Sequence, residues 1–161
     1  MAPNRNAYWL ALLLPTALYG GALISQYGFG LHPCEMCMWQ RWPHIAAIIL
    51  AVLALILRAK AWSFLLVIAA AIAVLVSGLI GGFHAGVEYG WWEGLTACAT
   101  NLPAGGDMLD SIMNAPLVRC DVAPWSLFGI SLAGFNFLLS VAGAILILAM
   151  VATGRKDGYH G

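Results

Sequence analysis

Apolar positions in this chain fall in four long runs with no strict alternation and no regular polar face. Three of them cover residues 8–27, 62–83 and 126–153. The other is purely apolar only over 44–57 and reaches spanning length when it begins near residue 37, giving 37–57. A helix needs about 20 apolar residues to cross a ~30 Å hydrocarbon core. The runs are too long and continuous for barrel strands, and helices satisfy their own backbone in lipid. The pattern predicts an all-α membrane protein, a four-transmembrane-helix bundle forming a single membrane domain over 1–161.

Composition removes the alternatives. Apolar residues make up 62% of the chain and charged ones 9%, with mean hydropathy +0.87. Soluble domains carry roughly 25% charged residues, so a soluble enzyme is excluded. Disorder requires low hydrophobicity and is excluded as well. Seven basic and seven acidic residues give zero net charge, and no basic patch offers a surface to nucleic acid.

Charge placement sets the expected orientation. Arg5, Arg58, Lys60, Arg155 and Lys156 fall on one side of the spans, which the positive-inside tendency makes cytoplasmic. Six of the seven acids fall on the other side. Both termini are therefore expected inside, with two periplasmic loops, 28–36 and 84–125. The first run is too long for a usual signal-peptide core, and no good small-x-small cleavage site follows it. Trp39, Trp42, Tyr89, Trp91, Trp92 and Trp125 flank the loops as an interfacial aromatic belt would.

All four cysteines lie in the two outer loops. Outside the cytoplasm thiols can be oxidised and disulfides persist. Cys34 and Cys37 form Cys-Glu-Met-Cys, a spacing typical of redox or metal chemistry, at the expected start of a helix whose dipole favours a thiolate. Arg41 follows Cys37 by four residues and shares its helix face. Such a guanidinium can stabilise a thiolate and polarise an acceptor carbonyl, or else anchor to lipid phosphates. Cys98 and Cys120 enclose 21 residues, within which residues 107–113 read as a short amphipathic helix lying on the membrane. Taken alone, those two cysteines read as a loop staple. Zinc is not expected, because only one close cysteine pair is present. His84 and Glu88, spaced i,i+4, read as a solvated helix end, with ligation or proton relay as the less ordinary alternative. His32 and His44 carry no signal of their own, and Asn136 reads as a polar link between helices.

These residues resemble the bacterial disulfide bond formation protein B (DsbB) family, quinone-linked thiol oxidases of the inner membrane. The strongest match is Pro33-Cys34-Glu35-Met36-Cys37-Met38-Trp39-Gln40-Arg41. The others are Cys98 and Cys120 in the long loop, and Cys120-Asp121 leading through Pro124-Trp125-Ser126 into the last span. The family often has Leu-Gly where this chain has Phe128-Gly129. The resemblance implies catalytic cysteines Cys34, Cys37, Cys98 and Cys120, paired 34–37 and 98–120 at rest. It implies that a reduced periplasmic DsbA-like thiol oxidase attacks Cys98, and that the released Cys120 engages Cys34. Cys37 is then left as a thiolate beside a respiratory quinone, ubiquinone or menaquinone, with Arg41 holding both. Two further readings are a non-enzymatic, disulfide-stapled membrane scaffold and a relative serving one dedicated partner. Cys34-x-x-Cys37 with Arg41 speaks against the scaffold, since a staple needs neither.

Overall fold

The computed structural model describes residues 5–95, 99–100 and 117–157. Four helices, α1 (Arg5–Phe29), α2 (Glu35–Ile56), α3 (Ser63–Glu88) and α4 (Leu132–Asp157), are each long and apolar enough to cross a membrane. The predicted four-helix membrane bundle is the observed architecture. α3 is central and packs most extensively against α4 and α2. Two short antiparallel pairs accompany the helices: β1 (Ala99–Thr100) with β2 (Leu117–Val118), and β3 (Ser126–Leu127) with β4 (Ile130–Ser131).

The helices meet through small residues. Ala7 and Ala11 of α1, Ala47 and Ala51 of α2, Ala70 and Ala71 of α3, and Ala144 of α4 are fully buried. Large side chains such as Ile49, Leu65, Leu79 and Ile145 face outward. In lipid no hydrophobic force pulls helices together, so close approach of small residues supplies the packing. At one end Tyr8 Oη and Ser63 Oγ share a buried 2.6 Å hydrogen bond that ties α1 to the start of α3. Arg58 and Lys60 occupy the exposed turn between α2 and α3. That turn lies at the end of α2 opposite Cys34.

α1 and the end of α4 run a few residues beyond the expected spans, and three further boundaries, all near the thiols, differ from the pattern-based expectation. α2 begins at Glu35 because Cys34 caps it, its sulfur accepting the Cys37 backbone N–H at 3.2 Å. α3 continues past residue 83 to Glu88 and stops in a Schellman motif. Gly90 adopts φ +71°, Gly90 N donates to Val87 O at 3.1 Å, and Trp91 N donates to Gly86 O at 2.8 Å. Residues 126–131, expected as the start of the fourth span, form a hairpin instead. Phe128 (φ 52°) and Gly129 (φ 78°) make its two-residue turn, and positive φ at both positions is what the twist of a tight hairpin demands. Tyr89 Oη donates to Gly129 O at 3.1 Å and accepts from Ser131 N at 3.0 Å, fastening the hairpin to the end of α3.

Candidate functional site

The end of the bundle where α2 begins and α3 stops holds the thiols. Cys34 is buried at the N-cap of α2, and Cys37, one turn on, is partly exposed. Their sulfurs are 2.7 Å apart, with the Cys34 thiol donating to Cys37. That hydrogen bond, and burial after it, push the Cys34 thiol far above its ordinary range. Cys120 packs into the same cluster with Met36 and Val87. Although it belongs to the long outer loop, it is only 7% exposed. The 117–131 segment instead lays Cys120 over the start of α2. Cys98 and the expected helix over 107–113 lie outside the described residues.

His84 and Glu88 are not a solvated helix end. Both side chains are 2% exposed, with His84 Nε2 3.7 Å from Glu88 Oε1. Because α3 runs on to Glu88, these two positions stay inside the bundle. His84 Nε2 also lies 3.5 Å from Cys34 Sγ. Glu88 Oε2 is buried and finds no hydrogen-bond partner among the described residues.

A hydrogen-bond chain behind His84 fixes which way its ring is protonated. Gln40 Nε2 donates to Met36 O at 3.2 Å and to His84 Nδ1 at 2.9 Å. Gln40 Oε1 accepts from Asn136 Nδ2 at 2.8 Å. Asn136 Nδ2 also faces Ser77 O at 3.2 Å, and Asn136 Oδ1 accepts from Ser140 Oγ at 2.8 Å and meets His44 Nε2 at 3.0 Å. Main-chain carbonyls can only accept, so Met36 O and Ser77 O orient the two amides. Nδ1 of His84 therefore accepts, and the neutral ring carries its proton on Nε2, facing the Cys34 sulfur.

Cys34 Sγ, His84 Nε2 and Cys120 Sγ lie within 4.8 Å of one another, a grouping of zinc-ligand types that sequence spacing did not reveal. A metal at Nε2 would need the opposite tautomer, with Nδ1 donating to an acceptor. The ring instead faces Cys34 Sγ with its N–H and hydrogen-bonds the Cys120 backbone.

Arg41 and Cys37 line one cavity of about 250 Å³ between α1, α2, α3 and α4, with Ser25, Gln40, His44, His84, Glu88 and Asn136 among its other polar residues and His32 at its loop edge. The remaining wall is mainly apolar, including Leu18, Leu132 and Phe135. Arg41 is tied to α1: Nη1 donates to Gln26 Oε1 at 2.6 Å and Nη2 to Ala22 O at 3.4 Å. A second cavity of about 320 Å³, lined by Cys34, Cys37, His84, Val118 and Arg119, lies on the Cys120 side. There Arg119 pairs with Asp121, and its guanidinium holds that exposed carboxyl below the usual range. The sequence flagged the cysteines and Arg41. It did not flag Gln40 or His44, whose polar character inside an apolar helix was the available signal.

A four-helix membrane bundle with three thiols, a buried histidine and a guanidinium gathered at one end defines a membrane-embedded thiol-redox protein. Comparison with known proteins gives the family. Residues 4–150 match the model of the family described as disulfide bond formation protein DsbB, and the chain belongs to that family. It is 30% identical to disulfide bond formation protein B of Verminephrobacter eiseniae, over 94% of this chain and 88% of that one. It is 31% identical to the protein of the same name from Shewanella frigidimarina, over 92% of this chain and 90% of that one. An uncharacterized protein of Rickettsia prowazekii is 26% identical over 78% of this chain and 75% of its own. No solved structure matches the chain significantly. The protein is thus a multi-pass membrane protein of disulfide bond formation, an oxidoreductase.

Proposed function

We propose that this protein oxidises the dithiol of a periplasmic thioredoxin-like thiol oxidase, DsbA-like in kind, and passes the two electrons to a respiratory quinone of the bacterial inner membrane. The observation that carries this reading is the cavity shared by Cys37 and Arg41. At about 250 Å³ it is slightly smaller than the ~300–1,000 Å³ pockets that take whole drug-sized ligands, and it suits a single-ring head group with its tail left in lipid. Its apolar wall with a few convergent polar groups fits a quinone ring, and the Arg41 guanidinium fits a ring oxygen that gains charge on reduction. The quinone supplies the two-electron acceptor chemistry when bound.

The chain's own residues do the rest. Cys98 receives the partner's attack, Cys120 is released, and Cys120 engages Cys34, beside which it packs. Cys37 is left as the thiolate on the cavity wall, where Arg41 favours its charge. The partner loses two electrons and two protons, and the acceptor gains both. The basic turn at Arg58 and Lys60, opposite the thiols, supports a periplasmic thiol end with cytoplasmic termini.

Multi-turnover oxidation of a reduced dithiol partner is expected only when quinone is supplied. Undiminished turnover in oxygen-free, quinone-free detergent overturns the acceptor. Cys98→Ser is expected to stop transfer from the partner while leaving the Cys34–Cys37 pair intact. Full activity in Cys98→Ser, with Cys120→Ser trapping the partner, would reverse the roles of those two.

A further inference from the structure

Closing a disulfide between Cys34 and Cys37 requires both sulfurs to lose their protons. Cys34 is the harder of the two, because it is buried and its thiol donates to Cys37. Beyond Cys37, the polar atom against its sulfur is His84 Nε2 at 3.5 Å. That nitrogen carries the ring proton, because Gln40 donates to Nδ1 from behind.

We propose that His84 is a catalytic member of the thiol centre: a neutral, tautomer-locked donor that holds the Cys34 sulfur as a thiolate, with Gln40 as its positioning residue. The imidazole is not the base here. Its Nδ1 is occupied by the Gln40 amide, and its Nε2 already bears a proton, so the Cys34 proton leaves to solvent and the N–H remains to stabilise the charge. A fixed donor in a site of low polarity stabilises developing charge without reorganising, as an oxyanion hole does. Glu88 Oε1 lies 3.7 Å from the same nitrogen, beyond hydrogen-bond reach, and the Cys120 backbone is a further hydrogen-bond partner of the ring. The groups that titrate around this contact are Cys37 from α2, Glu88 from α3 and Cys120 from the 117–131 segment, with His32 and Arg119 on the wall of the neighbouring cavity.

This inference rests on Cys34 being a redox thiol, as in the proposed function. Its test uses neither partner nor quinone, so the two can fail separately. Full-length protein in detergent, with Cys37, Cys98 and Cys120 replaced by serine, leaves Cys34 as the single thiol. Its ionisation is followed by thiolate absorbance and by the pH profile of alkylation, and the His84 tautomer by ¹⁵N chemical shifts. The expected ring is neutral and protonated on Nε2. Gln40→Glu places a carboxylate against Nδ1, draws the proton there and turns a lone pair toward sulfur. It should raise the Cys34 midpoint by about one pH unit, a tenfold loss of thiolate below the midpoint. His84→Phe should raise it similarly, and His84→Gln, whose amide N–H reaches the same place, should restore part of the loss. If His84→Phe does not fold, the Gln40→Glu pair of measurements decides. An Nδ1-protonated ring in the parent protein, or a Cys34 midpoint unmoved by Gln40→Glu, overturns the proposal.

Discussion

Gln40 and Asn136 meet side chain to side chain across 2.8 Å, joining α2 to α4 inside an otherwise apolar bundle. Asn136 also bonds Ser77 of α3 and Ser140 one turn along α4, so a single amide satisfies groups on three helices. Asn136→Ala removes it and leaves Gln40 Oε1 without its partner in a buried setting. Orphaning a buried polar group costs about 1–3 kcal/mol. Hydrogen bonds between membrane helices average nearer ~0.6 kcal/mol, because the unfolded chain in lipid finds other partners. The expected loss is therefore about 1–2 kcal/mol, read as a lower midpoint for unfolding in mixed detergent micelles. Asn136→Asp, which keeps an acceptor but loses the donor to Gln40 and Ser77, should lose at least as much.

The four spans were legible because lipid removes ambiguity: a continuous apolar run of that length has one solution. What the runs could not show was where polar residues end a helix and where they are simply packed inside it. His84 and Glu88 look like loop residues by polarity, yet α2 and the Cys120 segment cover them. The stop signal that matters is Gly90, whose positive φ ends α3 two residues past Glu88. Residues 126–131 misled in the opposite direction. Leu127, Phe128 and Ile130 extend the apolar run, and the turn hidden within them depends on Gly129 and on a strained Phe128 held by Tyr89. Cys34, Cys37 and Arg41 could be read from spacing along one helix. The convergence of Cys120 and His84 on Cys34 could not, since it is set by how segments 50 and 86 residues away from Cys34 pack against it.

A second stability prediction concerns a close approach of α3 to α4 at Gly78. A Cβ placed on Gly78 would stand 2.9 Å from Ser140 Cβ and 3.3 Å from the backbone N of Val141. The second neighbour is main chain and cannot turn aside. Gly78→Leu should push the helices apart and cost about 1–3 kcal/mol, the usual range for overpacking. The Asn136–Ser77 hydrogen bonds lie at the same level and should weaken with it. An unchanged unfolding midpoint for Gly78→Leu would show that the two helices are not in contact there.

Tyr89 fastens the β3–β4 hairpin through one hydroxyl that both donates and accepts. Tyr89→Phe deletes both bonds and little else. At about 1 kcal/mol net for each of the two hydrogen bonds, the hairpin should open roughly thirtyfold more often. The Ser131 amide, which donates to that hydroxyl, should exchange with solvent deuterium correspondingly faster. Amides in the middle of α3 and α4 should not change. Equal Ser131 protection in the two proteins would mean that the hairpin is held by other contacts.

Arg41 offers the sharpest test of the proposed acceptor site. It sits one turn past Cys37 and lines the same cavity, and its guanidinium is not loose. Gln26 and the Ala22 carbonyl on α1 hold two of its nitrogens. A cation fixed in a partly desolvated cavity favours both the Cys37 thiolate and a reduced ring oxygen. Arg41→Gln or Arg41→His should therefore raise the KM for quinone or slow its reduction by tenfold or more. Exchange between the dithiol partner and the outer cysteines should change much less. Arg41→Lys keeps the charge without the planar fork and should fall between. Gln26→Ala leaves the arginine in place but frees one arm, so it should show the same defect in weaker form. A lipid-anchoring arginine would behave differently: Lys would replace it fully, Gln26→Ala would do nothing, and quinone kinetics would match the parent in every variant. The KM for quinone across these four variants, set beside a quinone-independent exchange assay, separates the two roles.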